Sequence, residues 1–202
     1  MEQSSSIIVK KARLSYAHIW EPQSMNEGQE KKYSVVLLIP KTDKAMVEEI
    51  KKAIAKARED GKTTLVDKKG QPLKEAALSL PLKDGDVEKE DQEEYKGMYF
   101  LSAKNTTAPG IVGLTKDQDG KRKPITDKTE VYSGCFAHVS VNFFAGGVKA
   151  GNPGIFCSLK NIMKVSDGEP LGAGRTSADS DFADITDEDE VTSGNGGDDD
   201  DI

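Results

Sequence analysis

Cys135-Phe-Ala-His-Val-Ser-Val-Asn-Phe-Phe144 alternates between two kinds of side chain. Cys135, Ala137, Val139, Val141 and Phe143 are uniformly apolar and belong in a core. Phe136, His138, Ser140, Asn142 and Phe144 mix rings with hydrogen-bonding groups. A half-buried strand results, and its outer face offers what unpaired bases require: ring faces for stacking, with polar atoms beside them. The glycine-rich run Ala145-Gly-Gly-Val-Lys-Ala-Gly-Asn-Pro153 makes a hairpin loop. Beyond it, residues 154–165 repeat the pattern, with Ile155, Cys157 and Leu159 inward and Phe156, Ser158 and Lys160 outward.

Upstream, residues 7–16 read as a strand with Ile8, Ala12 and Leu14 on one side and Lys11, Arg13 and Ser15 on the other, the alternation breaking at Lys10. The β-branched run Tyr33-Ser-Val-Val-Leu-Leu-Ile39, closed by Pro40, predicts a buried strand. Thr42 or Asp43 then caps a helix that runs to Asp60 and stops at Gly61. Its apolar side is Ala45, Met46, Ile50, Ala53, Ile54 and Ala57, packed on the barrel with charges opposite. Residues 61–97 read as a polar insertion. Asp84, Asp86, Glu88 and Asp91 there only superficially resemble a calcium loop, because the EF-hand spacing is missing. Residues 98–104 form another strand, placing Phe100, Ser102 and Lys104 on one face. Residues 111–115 and 125–131 read as a hairpin whose tip carries Lys121, Arg122 and Lys123.

The expected fold is therefore mainly β: an OB-fold-like, partly open five-stranded barrel with one helix, residues 1–165, followed by an acidic tail, residues 166–202. A β-sandwich fits the same pattern. The formal charge of −7 conceals a segregation. The tail holds 13 acidic residues and one base, Arg175, whereas the body holds 27 bases and 22 acids. Low hydrophobicity with high charge predicts a tail that is disordered in isolation. A mildly basic body suits a polyanionic partner.

The candidate binding surface joins Phe100, Phe136, His138, Asn142, Phe144 and Phe156 with Trp20, Tyr33 and Tyr132 near strand ends. Cations come from Lys11 and Arg13, from Lys32, Lys104 and Lys160, from the Lys121 hairpin, and from Lys149 in the glycine-rich loop. Phosphate-binding GxxxxGK[ST], HExxH and GxSxG motifs are absent, so a binder is expected and an enzyme is not. Cys135 and Cys157, with His18 and His138, lack metal-ligand spacing, and no cofactor or metal is expected. The sequence holds no apolar run of the roughly 20 residues that span a bilayer, and Met1 to Ser6 lacks a secretory pattern, which places the protein in a cytoplasm with no membrane partner.

Several motifs in their order and spacing resemble the phage-encoded single-stranded DNA-binding proteins with an OB-fold, the group related to helix-destabilising replication proteins. They include Ala12-Arg-Leu-Ser-Tyr16 with Trp20-Glu-Pro22, and Tyr33-Ser-Val-Val-Leu-Leu-Ile-Pro-Lys41. Pro81-Leu-Lys-Asp-Gly-Asp86, Tyr95-Lys-Gly97, Pro109-Gly-Ile-Val112 and Tyr132-Ser-Gly134 follow. Val139-Ser-Val-Asn-Phe143, Gly154-Ile155 through Leu159, and Asp167-Gly-Glu-Pro-Leu-Gly172 complete the set. The resemblance implies sequence-tolerant binding of single-stranded DNA in phage replication, recombination or repair inside a bacterial host. It also implies that the tail competes with DNA and contacts replication proteins through Asp198, Asp199, Asp200, Asp201 and Ile202. Related tails end in an aromatic residue, and Ile202 departs from that. An RNA-binding OB protein and an acidic-tailed assembly factor are the alternatives, and a homo-oligomer remains open.

Overall fold

The computed structural model describes residues 5–24, 28 and 30–172. The expected tail beyond Gly172, including Asp198, Asp199, Asp200, Asp201 and Ile202, lies outside the described residues. Eight strands form one sheet: β1 (Ser6–Gln23), β2 (Lys32–Pro40), β3 (Leu82–Asp84), β4 (Met98–Asn105), β5 (Gly110–Lys116), β6 (Arg122–Pro124), β7 (Phe136–Gly146) and β8 (Gly154–Ser166). The sheet order is β3-β4-β2-β1-β7-β8-β5-β6, and a further parallel pairing of β4 with β8 closes a ring of five strands, β1-β2-β4-β8-β7. That ring is a five-stranded OB-type barrel. Its closure is thin, with only Ala103 against Cys157 and Lys104 against Ser158. Asn105 reinforces the seam, its side-chain amide donating to Ser158 Oγ at 3.2 Å and to the Leu159 carbonyl at 2.7 Å.

The inward sets meet in a single core. Leu14, Leu37, Leu101, Val139, Val141, Phe143 and Leu159 are all buried there, each large side chain contributing about 1.5–3 kcal/mol by leaving water. Helix α1 (Lys44–Asp60) packs on β7, β1 and β8 with Met46, Val47, Ile50, Ala53 and Ala57. Val47 takes the place expected of Ala45. Asp43 caps the helix by accepting from Met46 N–H at 3.1 Å, and Gly61 ends it by donating to the Ala57 carbonyl.

The first strand departs from the expected parity. Ile8 is 51% exposed while Val9 is fully buried. A register shift against β7 falls between Val9 and Ala12, where Lys11 takes φ 51°. One extra residue in a strand flips every side chain before it to the other face, so Ile8 faces out and Ala12 in. The strand also runs on to Gln23 through a second irregularity after Ser15, which leaves both Leu14 and Ser15 buried.

Residues 125–131 are not a strand. β6 ends at Pro124, and Asp127 closes a turn by accepting from Thr129 N–H at 2.8 Å and Thr129 Oγ1 at 2.6 Å. The insertion is more ordered than its polarity suggests. It supplies β3 and the one-turn helix α2 (Gly85–Glu88), and it buries Leu65 and Tyr95. Lys41 Nζ ties Asp84 and Asp86 together at 2.5 and 2.7 Å, so these carboxylates serve an ion-pair network. Both Lys41 and Asp86 are held in their charged forms by that mutual hydrogen bonding. At the other end of the barrel strands, the chain stays packed beyond Ser166 as far as Leu171, which rests against Leu38, Tyr95 and Phe100.

Candidate nucleic-acid interface

The outward residues of β7 and β8 fall into two groups, one at each end of the strand pair. At one end Phe144 pairs with Phe156 across the hairpin, their ring centroids 6.0 Å apart and tilted by 35°. Phe144 is 45% exposed. The two rings line a groove of about 530 Å³ together with Lys32, Ser102, Lys104 and Ser158. Parallel register sets Lys104 beside Ser158, and antiparallel register sets Ser158 beside Asn142. Asn142 Oδ1 accepts from Ser6 Oγ at 2.7 Å, and Lys160 Nζ approaches the same hydroxyl at 3.5 Å. Lys104 on β4 and Lys32 on β2 thus share one rim with the phenyl pair.

The β7–β8 loop is folded against this end. Gly147 takes φ 78°, and a Cβ there would stand 1.9 Å from the Asn152 carbonyl oxygen and 3.0 Å from the Phe156 ring. Only glycine permits that approach, and it keeps the one-turn segment carrying exposed Lys149 beside Phe156. The far wall of the groove comes from Ser79, Leu80, Pro81 and Lys83, in the segment expected to be a polar insertion.

The other end has a different use. Tyr132 Oη donates to the Gly168 carbonyl at 2.9 Å. Arg13 Nη2 donates to the Glu169 carbonyl at 2.8 Å, and its Nε reaches the Gly134 carbonyl at 3.3 Å. Gly134, at φ 119°, lets residues 169–170 pass so close that a Cβ would stand 2.1 Å from the Glu169 oxygen. Phe136 lies half-buried beneath Gly168. Tyr132, Arg13 and Phe136 therefore clamp the chain after β8. His138 Nδ1 accepts from Lys11 N–H at 3.1 Å, which holds the β1 bulge. Partial burial, with Lys10 and Lys11 nearby, pushes its pKa below the ordinary histidine value.

Phe100 leaves the candidate set. It is 6% exposed and sits edge-on to Tyr95, centroids 5.3 Å apart at 89°, because the insertion folds over the outer face of β4. Trp20 and Tyr33 are half-buried against the main core, and the Trp20 indole N–H donates to the Val131 carbonyl at 3.0 Å. Lys121, Arg122 and Lys123 are exposed on the β5–β6 hairpin and line no part of the groove. The Arg122 guanidinium is turned onto the Leu114 carbonyl. Missed by sequence reasoning were Tyr95, Leu80 and Lys83. Tyr95 stands alone in a charged stretch, Leu80 belongs to the short alternating run Leu78-Ser-Leu80-Pro-Leu82, and Lys83 is one lysine among many in a polar insertion with no signal of its own.

Comparison with known proteins agrees with this architecture. A family model described as Enterobacter phage Enc34, ssDNA-binding protein, matches residues 5–192. Putative protein p50 of Acyrthosiphon pisum secondary endosymbiont phage 1 is 26% identical over 189 residues, 89% of this chain and 94% of that protein. Among solved structures, the single-stranded DNA-binding protein from bacteriophage Enc34 in complex with ssDNA superposes with TM-score 0.67 and 28% identity, covering 83% of this chain and 90% of that one. The single-stranded DNA-binding protein gp2.5 encoded by bacteriophage T7 shares the fold, with TM-score 0.57 and 17% identity over 87% of this chain and 99% of that one.

Proposed function

The chain belongs to the family of the Enterobacter phage Enc34 single-stranded DNA-binding protein, and from that membership we propose that it coats and protects single-stranded DNA during phage replication, recombination or repair in a bacterial host. Bases stack on Phe144 and Phe156, and Lys32, Lys104, Lys149 and Lys160 neutralise the phosphates. The observation that carries this reading is the accessible phenyl pair set in a lysine-rimmed groove. The groove runs along the seam of the third and fifth barrel strands, with Lys32 from the second, and OB-folds take oligonucleotides on the face of their second and third strands. Stacking is sequence-tolerant because every base has a π-face. Lys11, Arg13, Lys121, Arg122 and Lys123 add long-range attraction from outside the groove.

Residues 173–202 carry 11 acidic residues and one base. Tethered to a basic body, this polyanion competes with phosphates for the same cations at high effective concentration. Its terminal Asp198, Asp199, Asp200, Asp201 and Ile202 offer a docking sequence for replication proteins. The test is fluorescence anisotropy of single-stranded and duplex oligonucleotides across a salt series, with the full chain and with residues 1–172. The expected result is preference for single strands, affinity that falls steeply with salt, and tighter binding by the shortened chain. Failure of the shortened chain to bind a single strand at low salt overturns the reading. Matched RNA and DNA oligonucleotides in the same assay separate the DNA reading from an RNA one.

A further inference from the structure

Resting on that groove reading, we propose that residues 79–83 of the insertion form the second wall of the DNA site, with Leu80 as an aliphatic platform for a base and Lys83 as a phosphate contact. The wall is fastened to the barrel. Ser79 N–H donates to the Pro153 carbonyl and the Ser79 carbonyl accepts from Ile155 N–H, each at 2.9 Å. Gly154 passes so close that a Cβ would stand 2.3 Å from the Ser79 oxygen. Pro81 fixes its own φ and holds Leu80 extended, so the platform is preorganised before any ligand arrives.

Leu80 is the exposed member of an apolar series. Leu78 and Leu82 pack against the core, while Leu80 is 39% exposed and lines the same groove as Phe144 and Phe156. A single exposed leucine needs no explanation. One that completes a concavity with two phenyl rings provides a second apolar surface for a planar base. Lys83 Nζ stands 3.2 Å from Glu88 in an exposed pair, a contact weak enough for a phosphate to replace.

The wall also bears on specificity. Amides read bases by bidentate hydrogen bonds, but Asn105, the amide lining this groove, is committed. Both of its donations go to Ser158 Oγ and the Leu159 carbonyl, and its oxygen accepts from Thr107 N–H at 3.1 Å. Pro81 contributes no N–H. A base held between Leu80 and the phenyl pair is gripped by its faces, with no uncommitted side-chain amide of the groove to read its edges bidentately.

The experiment uses the full-length protein and oligonucleotides of dT and dC. Leu80→Asp should weaken binding at least tenfold with the melting temperature of the parent. Lys83→Ala should lower the slope of log affinity against log salt by about 0.7. Leu80→Trp, measured against the Trp20 background of the parent, should be quenched on binding both oligonucleotides alike. Parental binding by Leu80→Asp, or an unquenched Leu80→Trp, overturns the wall while loss of binding in Phe144→Ala/Phe156→Ala leaves the groove standing. If that double variant also binds like the parent, the groove reading fails and the wall falls with it. Quenching by one oligonucleotide alone overturns the face-gripping account.

Discussion

Phe136 and Phe144 stand at opposite ends of one strand, roughly 25 Å apart at strand rise, and both belong to its outward set. Phe144 meets another ring in an open groove. Phe136 lies beneath Gly168, in a clamp made with Tyr132 and Arg13. The two ends have the same residue types and opposite uses. Alternation assigns a side chain to a face of the sheet, but whatever chain crosses that face decides whether the side chain meets solvent or packing. The same contrast separates Phe100, covered by Tyr95, from Lys104, four residues along the same strand and exposed at the groove.

The largest effect should come from removing both groove rings. Phe144→Ala/Phe156→Ala is expected to cost about 1–3 kcal/mol per stacked base, a hundredfold or greater loss of affinity, with little change in melting. Phe136→Ala should do the reverse, lowering the melting temperature while affinity stays within a few-fold of the parent. Equal loss of affinity from both ends would break the distinction. Phe100→Ala is expected to cost about 3–5 kcal/mol of stability as a buried ring is deleted, read by urea unfolding, with parental affinity in the folded protein.

Smaller effects sharpen the clamp. Tyr132→Phe removes the hydrogen bond to Gly168 and should cost about 1 kcal/mol of stability without altering DNA affinity. His138 gives the smallest signal, and its sign follows from its lowered pKa. The folded protein takes up this proton at a lower pH than the unfolded chain does. Its contribution is therefore complete above about pH 6.5 and is lost as pH falls below that value toward the folded pKa. Melting at pH 7.5 and 5.5 should show the decline, and His138→Gln should flatten it.

Much of the barrel was legible. The inward sets of β7 and β8 follow from period-two patterning alone, as does helix α1 with its Asp43 cap and Gly61 stop. Ile8 faces outward because a single bulge residue at Lys11 inverts parity, and the hydrophobic pattern marks that bulge only as the break at Lys10. The strand expected over residues 125–131 gave way to a turn because Asp127 satisfies the backbone locally. Tyr95 is a single ring in a charged stretch and carries no periodicity, and the alternation Leu78-Ser-Leu80-Pro-Leu82 is too short to say which leucine stays exposed. Phe100 follows Tyr95 closely in the chain but meets it only once β4 is formed, and Phe156 reaches the Leu80 groove from a strand distant in sequence.

Local chemistry, then, was enough to specify the five long barrel strands, the main helix, the acidic end and the types of side chain facing outward on β7 and β8, since period, capping and charge are properties of neighbours along the chain. Which outward rings remain available was settled by long-range crossings: the insertion over β4, the segment after β8 over Phe136, and residues 79–83 beside Phe156. Exposure is a property of neighbours in space.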